Sequence, residues 1–274
     1  MRASRWLVAV VVFVLGADGL RAELKIENIQ AAYARFGPVR QTLTVTSQDE
    51  IFFYFDVVGV QPDGASMINL VVRVEVADPS GKKVLANDNP TRGKLPLGGD
   101  RLAGVASVLF GATSAAGAYT LKVTTIDKLS GDKAAFQRTL TYQPGGFHIV
   151  SPQFFYDAER KIPAPLGGVA GQTLYVRLNV VGLDPGAVKL DTAMSLQVLD
   201  SQGKEMMRQP VVAVIREGSR AKIRQVQFVT FTASLTLTRA GDFTLRIVVD
   251  DHAGKQTARF EAPLVVTGLP LNKD

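Results

Sequence analysis

The chain has 274 residues, 46% of them hydrophobic, and no cysteine, which excludes disulfides, thiolate metal sites and a cysteine nucleophile. Its formal net charge of +6 is a mild basic excess spread along the sequence, unlike the dense basic patch of a nucleic-acid-binding protein. We therefore expect packed apolar cores to stabilise the protein, and we expect no nucleic-acid partner.

The N-terminal segment has the layout of a secretory signal peptide. Arg2 and Arg5 precede an apolar run over 6–15. Because a membrane-spanning helix needs roughly twenty apolar residues, this run predicts a signal over 1–22 that is cleaved after Ala22. A leucine and an arginine just before the cut make the cleavage site imperfect, so the alternative is an uncleaved signal that tethers the protein to a membrane. Both alternatives predict export, and the lack of disulfides favours a bacterial periplasm or cell surface.

The remaining sequence repeats itself with an offset of 123 residues. The segment 51–60 aligns with 174–183, and 117–123 aligns with 241–247 after one more residue of shift. A duplicated domain is the simplest account of this pattern.

The repeat also predicts the domain boundaries. The first copy ends in a strand just before a short linker that contains Gly145 and Gly146, and the second copy begins at Phe147. We therefore expect one domain over 23–143, a second over 147–268, and a short C-terminal tail over 269–274.

Apolar residues recur at every second position in both copies, which is the period of a strand with one buried face. The segments 118–127 and 243–249 show this alternation, and turn-forming sequences such as 78–81 separate the runs. About seven such strands in each copy, with no convincing helix, predict an all-β protein of two tandem antiparallel β-sandwich domains.

The segment 117–123 (Gly-Ala-Tyr-Thr-Leu-Lys-Val) and its partner 241–247 resemble the last hairpin of bacterial immunoglobulin-like and fibronectin-III-like domains. The resemblance implies the sandwich fold and a role in adhesion, spacing or ligand presentation. In such domains a tyrosine at this place often caps a corner through its hydroxyl, which Tyr119 can do and Phe243 cannot.

Aromatic residues provide the candidate ligand contacts. In 174–180 the alternating polar positions, which include Tyr175, mark the solvent face of a predicted strand. Transferred to the first copy, the same pattern puts Phe52 and Tyr54 on the solvent face. Phe52, Tyr54 and Tyr175 are therefore candidate ligand-binding residues, and the alternatives for Phe52 and Tyr54 are packing against the other domain or burial under a loop.

Residues with catalytic or metal-binding chemistry are sparse. His148 and His252 lie in no metalloprotease or nucleophile motif, and we expect no catalytic residue and no cofactor. Asp250 and Asp251 end a predicted strand before a turn, which makes them candidate calcium ligands. Calcium takes six to eight oxygens, so turn-forming aspartate is the alternative interpretation.

The two copies differ most between 91–117 and 217–239. A divergent segment within a duplicated scaffold is a place for specialised binding, although relaxed constraint on a surface segment explains it equally well.

These features predict an exported, non-catalytic binding or structural module of a bacterial periplasm or cell surface, whose partner is an envelope protein or a glycan. The alternative is a carbohydrate-binding or accessory subunit of a separate enzyme. Membrane contact is expected only through an uncleaved signal.

Overall fold

The computed structural model describes residues 23–95, 98–184, 186–187, 189–217 and 228–269. Every helix-or-strand element in these ranges is a β-strand, which confirms the predicted all-β class. The predicted signal peptide lies outside the described residues. No helix in the described ranges is long and apolar enough to cross a membrane.

Eight strands form the first copy of the repeat. They are β1 (Lys25–Ala32), β2 (Thr44–Val45), β3 (Glu50–Val58), β4 (Met67–Ala77), β5 (Lys83–Lys94), β6 (Arg101–Leu109), β7 (Gly117–Asp127) and β8 (Lys133–Tyr142). A three-stranded sheet in the order β1-β3-β6 and a five-stranded sheet in the order β2-β8-β7-β4-β5 make up this sandwich.

The second copy has the same eight elements. They are β9 (His148–Phe155), β10 (Gly167–Val169), β11 (Thr173–Val181), β12 (Leu190–Leu199), β13 (Val211–Glu217), β14 (Phe228–Thr236), β15 (Gly241–Asp251) and β16 (Gln256–Thr267). Its sheets have the orders β9-β11-β14 and β10-β16-β15-β12-β13, so each strand takes the place of the strand eight numbers before it. This arrangement of a three- and a five-stranded sheet follows the plan of immunoglobulin-like sandwiches.

Each sandwich also contains one parallel strand pair, which the prediction of antiparallel sandwiches did not include. β2 runs parallel to β8, and β10 runs parallel to β16. With two and three residues respectively, β2 and β10 are too short to show an alternating pattern. They also account for eight strands in each copy where about seven were expected.

The apolar side chains of each sandwich form a separate core. In β3, Ile51, Phe53 and Phe55 are at most 2% exposed, and the equivalent side chains of β11, Leu174 and Leu178 among them, are fully buried. The alternation read from the sequence therefore identified the core face of these two strands.

Candidate functional site

Phe52 is buried, whereas the sequence pattern predicted a place on the solvent face. Its side chain is 8% exposed and does not belong to the core cluster of the first sandwich. Together with Phe154, Phe155 and Pro163 of the second domain, it lines a cavity of about 230 Å³ between the domains. Packing against the other domain is therefore the alternative that the structure shows for Phe52, because the second domain covers the outer face of β3 at this point.

Tyr54, two residues further along β3, lies under the segment that joins β1 to β2. The ring of Phe36 stacks on the Tyr54 ring with centroids 6.4 Å apart, and the Phe36 backbone N–H donates a hydrogen bond to the Tyr54 hydroxyl at 2.5 Å. Tyr175 is half-buried and pairs in register with Phe155 and Ser234. Ligand contact by Tyr54 and Tyr175 stays a prediction.

The two candidate calcium ligands make the contacts of turn-forming residues. Asp251 is 2% exposed, and its carboxylate accepts a hydrogen bond from the Ala253 backbone N–H at 3.1 Å. Asp250 accepts one from the Thr257 hydroxyl at 2.7 Å. The described residues contain no group of three or more histidine or acidic side chains placed to hold a metal ion. These contacts give the calcium hypothesis no support.

The domains touch each other beyond the linker. The Tyr33 ring meets the Phe260 ring of β16 edge-on, with centroids 5.2 Å apart. The Glu50 backbone N–H donates a hydrogen bond to the Ser151 hydroxyl at 3.3 Å. In the second domain, a Cβ at Gly182 would lie 1.7 Å from the linker carbonyl oxygen of Gly146, so only glycine permits this approach. The linker and the domain surfaces together fix the junction.

A buried ion pair stands at this junction. The Arg40 guanidinium lies 2.7 Å from Asp49 Oδ2, and the two side chains are only 6% and 5% exposed. Arg40 also stacks over the Tyr33 ring at 4.9 Å. Burial raises the pKa of Asp49, although the hydrogen bond and charge of Arg40 act in the opposite direction. The pair therefore joins the segment between β1 and β2 to the residue just before β3.

A cavity of about 450 Å³ lies in the second sandwich, between its two sheets. Its floor consists of buried aliphatic side chains, which are Val198, Leu235, Leu237, Leu264 and Val266. Met207 and Phe243 are half-buried in its wall, and its exposed rim carries Met206, Thr236, Thr238 and Arg239. An apolar floor with a few polar groups at the mouth is the usual composition of a small-molecule site, and the volume falls within the roughly 300–1,000 Å³ of such sites.

Strand register identifies the residues that occupy the same place in the first sandwich. Gly117 pairs with Tyr142 as Gly241 pairs with Val266, so Tyr142 corresponds to Val266. By the same hairpins, Tyr119 corresponds to Phe243. Phe110 and Leu237 also correspond, because each exchanges backbone hydrogen bonds with the residues just before β3 or β11.

Three aromatic rings fill this place in the first sandwich. Phe110 and Tyr142 stack with centroids 5.5 Å apart, and Tyr119 meets Phe110 edge-on at 5.2 Å. The Tyr119 hydroxyl donates a hydrogen bond to the Ala115 carbonyl oxygen at 2.9 Å, which confirms the predicted corner-capping tyrosine. The Tyr142 hydroxyl donates one to the Gly111 carbonyl oxygen at 3.2 Å.

The second sandwich has Leu237, Phe243 and Val266 at these three positions, so two rings and both hydroxyls are missing. Well-packed cores leave few voids larger than a water molecule. The change from Phe110 and Tyr142 to smaller aliphatic residues is therefore a direct physical cause of the cavity.

Sequence reasoning did not find this site. Tyr119 and Phe243 had been aligned, but Phe110 and Leu237 are 127 residues apart and lie in the divergent segments, outside the offset of 123. The rim residues Thr236 to Arg239 do fall within the divergent segment 217–239, which was one of the places suggested for specialised binding.

No protein-family model matches the chain, and no curated protein sequence matches it. Solved structures with some likeness include two bacterial ones, both at low identity. The C-terminal domain of the antigen I/II-family protein AspA of Streptococcus pyogenes is 10% identical, with a TM-score of 0.31, over 89% of this chain and 100% of that one. The C-terminal domain of the AgI/II polypeptide BspA of Streptococcus agalactiae is 8% identical, with a TM-score of 0.30, over 88% and 99%.

Red sea bream transglutaminase is 10% identical, with a TM-score of 0.26, over 90% of this chain but only 31% of the enzyme. At these TM-scores none of the three likenesses carries an argument about function. The sheet order and strand register of the chain itself define its class, a tandem immunoglobulin-like β-sandwich protein.

Proposed function

We propose that the chain is an exported, non-catalytic binding module of the bacterial envelope, and that its second sandwich holds a small apolar ligand. The first sandwich acts as a structural partner that presents the second one. The observation that carries the proposal is the cavity of about 450 Å³ at the place where the first sandwich is filled by aromatic rings.

An apolar pocket that is open to water leaves hydrocarbon surface hydrated, and covering that surface with an apolar ligand is favourable by roughly 25 cal/mol per Å². The first copy shows that this scaffold can fill the same place with ordinary residues, namely Phe110, Tyr119 and Tyr142. Retention of the cavity in the second copy supports a binding role there.

The junction between the domains supports the structural role of the first sandwich. Contacts such as Tyr33 with Phe260, together with the short linker, restrict how far the domains can turn relative to each other. A partner or surface bound to the first domain would therefore hold the cavity of the second in a fixed orientation.

A glycan or envelope protein as the partner, and an accessory role beside a separate enzyme, remain further proposals. They receive less support from the structure. Phe52 is covered by the second domain and Tyr54 by Phe36, so the flat face of exposed aromatics that a glycan would stack on is reduced to half-buried Tyr175. Export depends on the sequence of residues 1–22.

The proposal is tested by titration of the protein with N-phenyl-1-naphthylamine, a neutral dye that fluoresces in apolar surroundings. We expect one dye molecule to bind per wild-type chain and Val266→Tyr to abolish binding, because the tyrosine restores a ring that the first sandwich has at this position. Val265→Tyr is the matched control, since Val265 is 50% exposed on the opposite face of the same strand.

Loss of dye binding in Val266→Tyr but not in Val265→Tyr, with unchanged far-ultraviolet circular dichroism in both, supports the proposal. Equal binding by the wild type and the two variants would place the dye elsewhere and overturn it. If Val266→Tyr does not fold, Leu237→Phe supplies the second ring position for the same comparison.

A further inference from the structure

We propose that the ligand of this cavity is a single-chain amphiphile with an anionic headgroup, of the fatty-acid carboxylate type. The inference rests on the proposed function and specifies the chemistry of its ligand. It follows from where the apolar and charged groups of the cavity lie relative to solvent.

The floor of the cavity requires an apolar body. Leu237, Leu264 and Val266 are at most 4% exposed and offer no side-chain hydrogen-bonding group. A polar group that reached the floor would lose its hydrogen bonds to water without replacement, which costs free energy. The buried part of the ligand is therefore hydrocarbon.

The wall accommodates a flexible chain better than a rigid ring system. Met206 and Met207 both line the cavity, and Met206 is 39% exposed at its mouth. Methionine side chains are unbranched and polarisable, so they adjust to irregular or variable apolar shapes. This adaptability fits an alkyl chain that does not have one fixed conformation.

The charge at the mouth selects the headgroup. Arg239 is the only charged residue among those that line the cavity in the described part of the chain, and it is exposed at the rim beside Thr238. Asp242 pairs in register with exposed Val265 and not with the cavity-lining side of the hairpin, so it faces away. A guanidinium pairs with a carboxylate through two parallel hydrogen bonds, which matches an anionic head that stays in water while the chain is buried.

The test is displacement of bound N-phenyl-1-naphthylamine by three amphiphiles with ten-carbon chains, which are decanoate, 1-decanol and decyltrimethylammonium. Each is used below its solubility limit or critical micelle concentration. We expect decanoate to bind the wild type most tightly and the cationic amphiphile least tightly. Arg239→Gln should weaken the binding of decanoate by about fivefold, which is the contribution of a solvent-exposed ion pair. The affinity for 1-decanol should stay unchanged. High salt should likewise reduce the preference of the wild type for decanoate over 1-decanol.

Arg92→Gln, which changes an exposed arginine of the first domain, is the matched control and should alter none of the three affinities. Equal displacement by decanoate and 1-decanol at low salt, or an equal effect of Arg239→Gln on both, would overturn the anionic headgroup while the apolar site stands. Absence of dye binding by the wild type would overturn the proposed function itself. Displacement by none of the three amphiphiles, with the dye bound, would overturn a single-chain ligand.

Discussion

Replacing Arg40 with methionine is expected to lower the free energy of unfolding by about 3–5 kcal/mol at neutral pH, because it leaves a buried carboxylate without its cation. The partner is Asp49, 2.7 Å away, and both side chains are almost completely withdrawn from water. Methionine keeps most of the unbranched stem of arginine, so the change chiefly removes charge and hydrogen bonds. Urea unfolding of the protein measures the loss.

Lowering the pH should restore much of the stability that the Arg40→Met variant loses. Burial raises the pKa of Asp49 above its usual 3.8, and without the opposing effect of Arg40 the pKa rises further. A carboxyl whose folded-state pKa is raised contributes stability below its unfolded pKa, and this contribution is lost as pH rises through the folded-state pKa. The Arg40→Met variant should therefore approach the wild type as pH is lowered toward about 4.

The exposed pair Arg73–Asp88 provides the matched control. Its atoms are 2.6 Å apart, but its side chains are 44% and 50% exposed, so Arg73→Met should change the stability far less than Arg40→Met does. The double variant Arg40→Met, Asp49→Leu should recover most of the lost stability, because it removes the isolated charge. An equal loss at neutral and acidic pH would show that packing of Arg40 against Tyr33, and not the ion pair, stabilises the junction.

Replacing Tyr142 with valine is expected to cost about 3 kcal/mol, and the double variant Phe110→Leu, Tyr142→Val is expected to create a second dye-binding cavity. Tyr142 is fully buried in the first sandwich, and valine is the residue at the corresponding position of the second. The substitution removes a ring that stacks on Phe110 and a hydroxyl that binds the Gly111 carbonyl. Dye titration of the double variant should therefore give two bound molecules in place of one, with a lower urea midpoint.

Tyr156→Val is the control for this experiment, since Tyr156 is 43% exposed and its loss should change neither stability nor stoichiometry appreciably. A Phe110→Leu, Tyr142→Val double variant that loses stability but still binds one dye molecule would contradict the account that missing rings alone make the site. The cavity of the second sandwich would then depend on its methionines, Met206 and Met207.

Much of the fold could be predicted from the sequence because the two copies support each other. Alternation in 174–180 shows which face of β11 is buried, and the repeat transfers this face to β3, where the aromatic run 52–55 alone is ambiguous. The short parallel strands β2 and β10 could not be predicted, since pairing direction is set by contacts distant in sequence.

The candidate site could not be predicted from the sequence pattern, for two physical reasons. Alternation gives the side of a sheet on which Phe52 lies, but not that the second domain covers that side. The cavity results from two rings that are missing at Leu237, just after β14, and at Val266 on β16, and either residue alone looks like an ordinary core residue. Only the strand register aligns these residues with Tyr142 and Phe110.

Methyl NMR of the protein with labelled methionines tests the central claim most directly. Beyond the first residue the methionines are Met67 in the first sandwich, Met194 in the second core, and Met206 and Met207 at the cavity. On titration with N-phenyl-1-naphthylamine we expect the Met206 and Met207 resonances to shift together and Met67 to stay in place. Shifts at Met67, with Met206 and Met207 unchanged, would contradict an apolar ligand site in the second sandwich.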